Sequence, residues 1–258
     1  MEVIEFMKSH AVGIKYQPEK PGLGAKLIGL ILLSTDLTLE GDIQRIIRGQ
    51  TIATYINRIS YNNPLTVKNL SFIEKDLKQA AVDLLPGVNL DAIAFACTSG
   101  SLAIGPNIVT RRLEEGQPGV PSTTPINAVI EACNTMNISK IALLTPYRDQ
   151  INKPIYKYLE DNEVETTSIS TFNLDSDIDV ARIPIKAIIR AGLEADHEDA
   201  EAVFLSCTAL RSAECIEFLE KELKKPVFTS NQVMLWHLLK LANYNKKISG
   251  FGEVLREH

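Results

Sequence analysis

The sequence has few of the residue patterns that mark metal-binding and nucleic-acid-binding proteins. Its four cysteines form no CxxC pair, and its four histidines are not grouped with them, so we expect no zinc site and free thiols. No cluster of lysines and arginines stands out, and the formal net charge is −5. We therefore expect no nucleic-acid partner.

Long apolar runs are also missing. The longest, "LIGLILL" over residues 27–33, is far shorter than a membrane span. The first residues lack the basic-then-apolar pattern of a signal peptide. We therefore expect a cytoplasmic protein with no membrane partner. The 258 residues are enough for one large domain or two modest ones, each with its own core.

Short apolar runs alternate with amphipathic segments along the chain. "KLIGLILLST", "LDAIAFACTSG", "SKIALLTPY" and "EAVFLSCTAL" have the length and flanking residues of buried strands. Between them, segments such as "TVKNLSFIEKDLKQAAVDLL" have the apolar spacing of a helix. This alternation predicts an α/β protein with parallel sheets.

Two stretches of the chain repeat one another. "FACTSGS" contains Cys97 and "LSCTALR" contains Cys207, which lies 207 − 97 = 110 residues later. "LILLST" and "IALLT" are related by an offset of 145 − 34 = 111. This repetition predicts two similar halves, over residues 1–125 and 126–229. We expect the C-terminal helical region, residues 230–258, to pack back onto the first half.

The two repeated cysteines are candidates for catalysis. Each follows a predicted strand and precedes a predicted helix start, where free backbone N–H groups favour anions and lower the pKa of a thiol. Thr98, Ser99 and Thr208 add hydroxyl donors. One thiolate would take a proton or add to carbon on one face of a small carboxylate, and the other thiol would protonate the opposite face. Racemisation, cis-trans isomerisation and decarboxylation all fit this scheme without a cofactor.

A structural explanation of each cysteine must be weighed against this one. A single cysteine at the end of an apolar strand is usually an inert core residue. The repetition of Cys-Thr in register favours the functional interpretation for Cys97 and Cys207. Cys133 and Cys215 lie inside predicted helices, and we interpret both as packing residues.

Six motifs, in order, resemble one branch of the aspartate/glutamate racemase superfamily: "GLILLSTDLTLEGD", "FACTSGS", "VPSTTP", "ALLTPY", "FLSCTALR" and "TSNQ". This branch contains maleate cis-trans isomerase, arylmalonate decarboxylase and the ectoine-utilisation racemase-like protein. The resemblance implies two flavodoxin-like halves with the active site in the cleft between them. It also implies a small carboxylate substrate, no cofactor and a homo-oligomer.

The resemblance assigns roles to several residues. Cys97 matches the cysteine that adds to the double bond in maleate isomerases, and Cys207 matches the cysteine that handles a proton. Arylmalonate decarboxylases keep only the second cysteine, so the presence of both disfavours a pure decarboxylase. The remaining matches are residues that bind the substrate or face the site: Thr98, Ser99, Thr124 and Tyr147.

Two aspartates depart from the family pattern. Asp36 stands where maleate isomerases have an asparagine, and Asp177 matches a second family asparagine. An ionised aspartate only accepts hydrogen bonds, so its burial against a substrate carboxylate is unfavourable. These residues therefore favour a substrate with a cationic or N–H-bearing group, such as an amino acid, over maleate. The alternative is that each aspartate caps a helix. It stays open for Asp36, and for Asp177 we favour the structural role.

The sequence thus supports three hypotheses. The first is a cofactor-independent isomerase or racemase of a small carboxylate that uses Cys97 and Cys207. The second is a decarboxylase of a malonate-type acid, with Cys207 as the proton donor. The third is a non-enzymatic protein that binds a small molecule on the same scaffold, in which case the thiols would be unreactive.

Overall fold

The computed structural model describes residues 12–19 and 21–258. It confirms the predicted α/β architecture, with two four-stranded parallel sheets. The first sheet has the strand order β2-β1-β3-β4, and the second has the order β6-β5-β7-β8. The strands are β1 Lys26–Leu33, β2 Ile52–Ile59, β3 Ala92–Phe95, β4 Ser122–Thr123, β5 Lys140–Tyr147, β6 Glu165–Leu174, β7 Ala202–Leu205 and β8 Val227–Thr229.

Helices connect the strands in both halves, as parallel pairing requires. The helices of the first part of the chain are α1 Leu39–Ile46, α2 Val67–Ser71, α3 Glu74–Val82, α4 Thr98–Ile104, α5 Pro106–Gly116 and α6 Pro125–Met136. Those of the second part are α7 Asp149–Asp161, α8 Asp177–Ala181, α9 Ile185–Ala195, α10 Ile216–Leu223, α11 Ser230–Leu241 and α12 Glu253–Glu257. Among the described residues, none of these helices has the length and apolar character needed to cross a bilayer.

The two sheets repeat one another in detail, which confirms the prediction of two similar halves. Strands β1 and β5 are central, and every residue in them after the first lysine is buried. The residue after each third strand is anchored in the same way: the Ala96 N–H donates to the Ile31 carbonyl, and the Ser206 N–H donates to the Leu144 carbonyl, both at 2.8 Å. Burial on both faces explains the continuous apolar runs.

The helix after the last strand of the second sheet returns to the first sheet. Helix α11 contacts α6 and α1, and it also contacts β3 and β4. This crossing places the start of α11, at Ser230, beside residues of both halves. The site described next depends on that position.

Candidate active site

The first cysteine turn is the start of a helix. Cys97 is the N-cap of α4, and its sulfur accepts a hydrogen bond from the Gly100 N–H at 3.2 Å. The Ser99 hydroxyl lies 3.6 Å from the same sulfur. A Cβ at position 100 would lie 3.0 Å from the sulfur and 3.1 Å from the Phe95 ring. Glycine therefore lets this amide approach the thiol without a clash.

The second cysteine turn has a different backbone. Tight turns follow Cys207, and the predicted helix over "SAECIEFLEKEL" starts with a short 3-10 turn, Ala213–Cys215, before α10 begins at Ile216. The Leu210 N–H bonds to the Cys207 carbonyl at 3.3 Å, and the Ser212 N–H bonds to the Leu210 carbonyl at 2.7 Å. Cys207 itself has a φ of 154°, which is uncommon for a residue with a side chain.

Both thiols lie in one buried region. Cys97 is 4% exposed and Cys207 is 3% exposed. Each lies near enough to Asp177 for that carboxylate to raise its pKa, and Cys97 also raises the pKa of Cys207. Tyr147, at the end of β5, is buried and lies beside Cys207. The structure thus brings together residues that lie far apart in the sequence.

Burial dominates the chemistry of the thiols. It raises the pKa of Cys97 to about 12, and Asp177 adds to the increase, while Ser99 and the Gly100 N–H oppose it. Burial and Asp177 also raise the pKa of Cys207, while Tyr147 and the Ala209 N–H oppose the rise. The expectation of lowered thiol pKa values is therefore wrong for both cysteines, because the hydrogen bonds to each sulfur compensate only part of the desolvation.

Asp36 has the structural role that the sequence left open. One of its oxygens accepts the N–H groups of Thr38 and Leu39, both at 2.8 Å, at the start of α1. Burial raises its pKa, and these bonds and the Thr208 hydroxyl oppose the rise. Asp36 also raises the pKa of Cys97. It therefore has two effects: its carboxylate caps the start of α1, and its charge acts on the first cysteine.

Asp177 does not cap its helix, and the structural role that we favoured for it is wrong. Ser176 is the N-cap of α8. The Asp177 carboxylate instead accepts a hydrogen bond from the Thr35 hydroxyl of the first half at 2.6 Å. Burial raises its pKa to about 6, while the bond to Thr35 opposes the rise.

The other predicted site residues divide into two groups. Thr98, Ser99 and Thr208 flank the two cysteines and are buried. Thr124 is also buried, but its hydroxyl accepts the Asn127 N–H as the N-cap of α6. Among the hydrogen bonds of the described residues, those of Thr124 connect it to α6 and to the neighbouring residue rather than to either cysteine.

The sequence reasoning missed Tyr61. Its side chain is buried, and its hydroxyl donates to the Pro64 carbonyl at 3.1 Å. Burial raises the pKa of this hydroxyl, and Asp177 and Cys97 raise it further. Tyr61 follows the end of β2. The rule that ligands bind beyond the carboxyl ends of parallel strands applies to this strand as well and would have identified it.

Contacts between the halves close the site. The Thr38 hydroxyl donates to the Ala209 carbonyl at 2.7 Å, and the Leu65 N–H donates to the Asp175 carbonyl at 2.8 Å. The bond between Thr35 and Asp177 joins the same two halves. The two thiols are almost fully buried behind these contacts.

The surroundings of the thiols are acidic. Within the described residues, the charged groups that shift the pKa values of Cys97 and Cys207 are Asp36, Asp177 and the thiols themselves. Arg58 lowers the pKa of Asp36, but its guanidinium group is partly exposed and forms an ion pair with Glu40 at 2.6 Å. No group of three His, Cys, Asp or Glu side chains in this part of the chain is arranged to hold a metal ion.

The sequence is similar to those of several known proteins. The sequence model of the family described as "Arylmalonate decarboxylase" matches residues 66–255. A maleate isomerase from Geobacillus stearothermophilus is 21% identical over 243 residues, which are 88% of this chain and 96% of that protein. An arylmalonate decarboxylase from Bordetella bronchiseptica is 24% identical over 181 residues, or 69% of this chain and 72% of that one.

A solved structure shows the same fold. It is a maleate cis-trans isomerase from Nocardia farcinica that carries a covalently bound succinylcysteine intermediate. The TM-score is 0.84 at 18% identity, and the alignment covers 91% of this chain and 100% of the other.

Proposed function

Because the chain belongs to the arylmalonate decarboxylase family, we propose that it is an isomerase of a small carboxylate and uses Cys97 and Cys207 without a cofactor. The observation that carries this proposal is the enclosure of two thiols, one from each half, in a single buried site. The similarity to maleate isomerases supports an isomerase.

The proposed reaction removes a proton from one face of the substrate and adds a different proton to the other face. One cysteine, as a thiolate, removes the proton on the carbon next to the carboxylate, and the electron pair is delocalised into that carboxylate. The other cysteine, as a thiol, gives its proton to the opposite face. The substrate leaves with inverted configuration, and proton exchange with solvent returns the cysteine pair to one thiolate and one thiol. With an unsaturated acid, a thiolate would add to one carbon of the double bond, and the electron pair would move into the carboxylate on the other carbon. After rotation about the resulting single bond, the C–S bond would break, which re-forms the double bond and releases the thiolate.

The environments of the two cysteines favour different roles. The Gly100 N–H points at the sulfur of Cys97, and a hydrogen bond to a thiolate stabilises it. We therefore assign Cys97 as the base or nucleophile and Cys207 as the acid.

The acidic surroundings favour a substrate that carries a cationic or N–H-bearing group as well as its carboxylate. Asp177 presents a buried carboxylate whose bond from Thr35 leaves further acceptor capacity. A cation beside it would neutralise the charge that raises both thiol pKa values, so the substrate itself would make a thiolate easier to form. An amino acid or an N-acylated amino acid has these groups.

Decarboxylation of a malonate-type acid is the second candidate. The family match and the Bordetella relative favour it. In that reaction a carboxylate leaves as carbon dioxide, and Cys207 alone would protonate the resulting carbanion. The role of Cys97 distinguishes the two candidates, because only the isomerase needs both thiols.

Proton NMR in D2O tests the proposal directly. The panel holds both enantiomers of aspartate and of an N-acetylated diamino acid, together with maleate and a substituted malonate. Deuterium that appears at an α-carbon, and is lost in Cys97→Ala and Cys207→Ala, would support a two-thiol racemase. Conversion of maleate to fumarate would support the cis-trans isomerase and contradict the preferred substrate class.

Two other outcomes would overturn the proposal. Loss of carbon dioxide from the malonate, retained in Cys97→Ala, would identify a decarboxylase. Simple saturable binding of a panel member, with no turnover and no protection of a reactive thiol, would identify a binding protein.

A further inference from the structure

Ser230 joins the two cysteine turns through a single hydroxyl group. The Cys207 N–H lies 2.9 Å from the Ser230 oxygen, and the Thr98 hydroxyl lies 2.9 Å from the same atom. Thr98 directly follows Cys97 in the sequence. One buried oxygen therefore connects the backbone of one cysteine to the neighbour of the other, across the two halves.

The start of α11 holds this hydroxyl in a defined place. Thr229 caps the helix: its side chain accepts the Gln232 N–H at 3.2 Å, and the Gln232 side chain accepts the Thr229 N–H at 3.1 Å. Because Thr229 supplies the cap, the Ser230 hydroxyl is not needed for it. Ser230 is fully buried, so its partners are the two turns rather than solvent.

At the corresponding helix start of the first half, the described residues include no counterpart of the Ser230 hydroxyl. Thr124 caps α6 as Thr229 caps α11, and the residue after each cap is the first of its helix. That residue is Pro125 in the first half and Ser230 in the second. Proline has no hydroxyl, so the bridge does not follow from the shared fold.

The proton count fixes the direction of one bond of the bridge. The backbone N–H of Cys207 can only donate, so the Ser230 oxygen accepts that bond and holds the Cys207 amide in its uncommon conformation. Either hydroxyl can donate the bond between Ser230 and Thr98. When Ser230 donates it, the Thr98 proton is available for a substrate carboxylate.

We propose that Ser230 is a positioning residue for the two-thiol site, which holds the backbone of Cys207 and orients the hydroxyl of Thr98. The proposal rests on the proposed function for its effect on turnover, but its effect on the Cys207 turn does not depend on any substrate.

Peptide-resolved alkylation by iodoacetamide tests the effect on the turn. We expect Ser230→Ala to raise the alkylation rate of Cys207, relative to that of Cys97, by about tenfold, because the freed turn opens more often. Ser212→Ala is the matched control, since Ser212 is also buried and its hydroxyl bonds only the Leu210 carbonyl, at 3.3 Å. A ratio within twofold of the parent, or an equal change in the control, would overturn the proposal.

Steady-state kinetics with a compound that the parent converts tests the effect on turnover. We expect kcat to fall by about 10- to 100-fold in Ser230→Ala, because a small displacement of a reacting group has effects of this size. The free-energy loss in kcat/KM of Thr98→Val combined with Ser230→Ala should be smaller than the sum of the two single losses, because both variants remove the bond between the two hydroxyls. Additive losses would contradict the bridge, whereas a purely structural role would lower only the melting temperature.

The two readouts separate the possible failures. If the parent converts no compound but the alkylation ratio still changes, the positioning role stands and the proposed function fails. If the parent is active and both the ratio and kcat are unchanged, the positioning role alone fails. Should Ser230→Ala not fold, Ser230→Cys is read in the same way, because it keeps the side-chain size and replaces the oxygen with a weaker acceptor.

Discussion

The two halves of the molecule share a strand order but differ at their cysteines. Each cysteine lies two residues beyond the third strand of its sheet. Three residues after Cys97, the Gly100 N–H bonds to the sulfur, whereas three residues after Cys207, the Leu210 N–H bonds to a backbone carbonyl. One fold thus presents two thiols in different hydrogen-bond environments, which suits two different roles on opposite faces of a substrate.

Removal of either thiol should have the largest effect on turnover, because each half supplies one of the two reacting groups. We expect Cys97→Ala and Cys207→Ala each to lower isomerisation by roughly 10³-fold or more, as for other residues that act together in catalysis. NMR with the converted substrate measures the loss. Cys133→Ala is the control, because Cys133 is buried inside α6 and we assign it no role in the site. Parent-like turnover in either site variant would refute the two-thiol mechanism.

A methyl group at position 100 disturbs only the first turn. Gly100→Ala places a Cβ 3.0 Å from the sulfur of Cys97, so either the thiol or the helix start must move. We expect kcat to fall by about 10- to 100-fold. Gly41→Ala, in α1, is a suitable control because a Cβ there meets nothing within 4 Å. Equal kinetics for the two variants would show that the bond from Gly100 is not needed.

Removal of the charge on Asp177 should affect both halves together. Asp177 raises the pKa of Cys97 and of Cys207, so Asp177→Asn should lower both values. At pH 8 we expect each thiol to be alkylated about 3- to 10-fold faster, because the rate follows the thiolate fraction. Asp91→Asn, at a partly exposed ion pair with Lys26, should leave both rates unchanged. A response from only one thiol would show that Asp177 acts on one half alone.

The pH dependence of stability tests the contact between α1 and α11. Asn231 donates to the buried Asp42 carboxylate at 2.8 Å, and burial raises the pKa of Asp42 from 3.8 to about 6. The folded state therefore holds this proton more tightly than the unfolded state. The resulting stabilisation is complete below pH 4 and is lost as the pH rises through about 6.

Urea unfolding at pH 5 and pH 7.5 measures this effect. Between these values the parent should lose about 1 kcal/mol more of its free energy of unfolding than Asp42→Asn does. Asp91→Asn should follow the parent. An identical pH dependence for the parent and Asp42→Asn would mean that Asp42 is ionised in the folded protein at pH 5.

Much of the fold could be predicted from local patterns. The apolar runs of β1 and β5 are buried on both faces, and their repetition at a constant offset indicated the two halves. The positions of Cys97 and Cys207 followed from the same logic, since parallel strands bring their carboxyl ends to one edge of a sheet.

The details of the site could not be predicted in this way. Asp177 resembled a helix cap in the sequence, but Ser176 takes that role and leaves the carboxylate for Thr35, which lies 142 residues away. Tyr61 lacked a motif, and only its position after β2 could have identified it. The sequence indicated the helix after Cys207 but not the conformation of the turns between them.

The sequence by itself determined the alternation of strands and helices, the two similar halves and the placement of a thiol at one strand end in each half, because hydrophobic periodicity is a local property. Only the tertiary structure decided the protonation of the thiols and the bridge through Ser230. Desolvation and hydrogen bonds between the halves depend on how the two sheets and α11 pack together, and no local pattern encodes those distances.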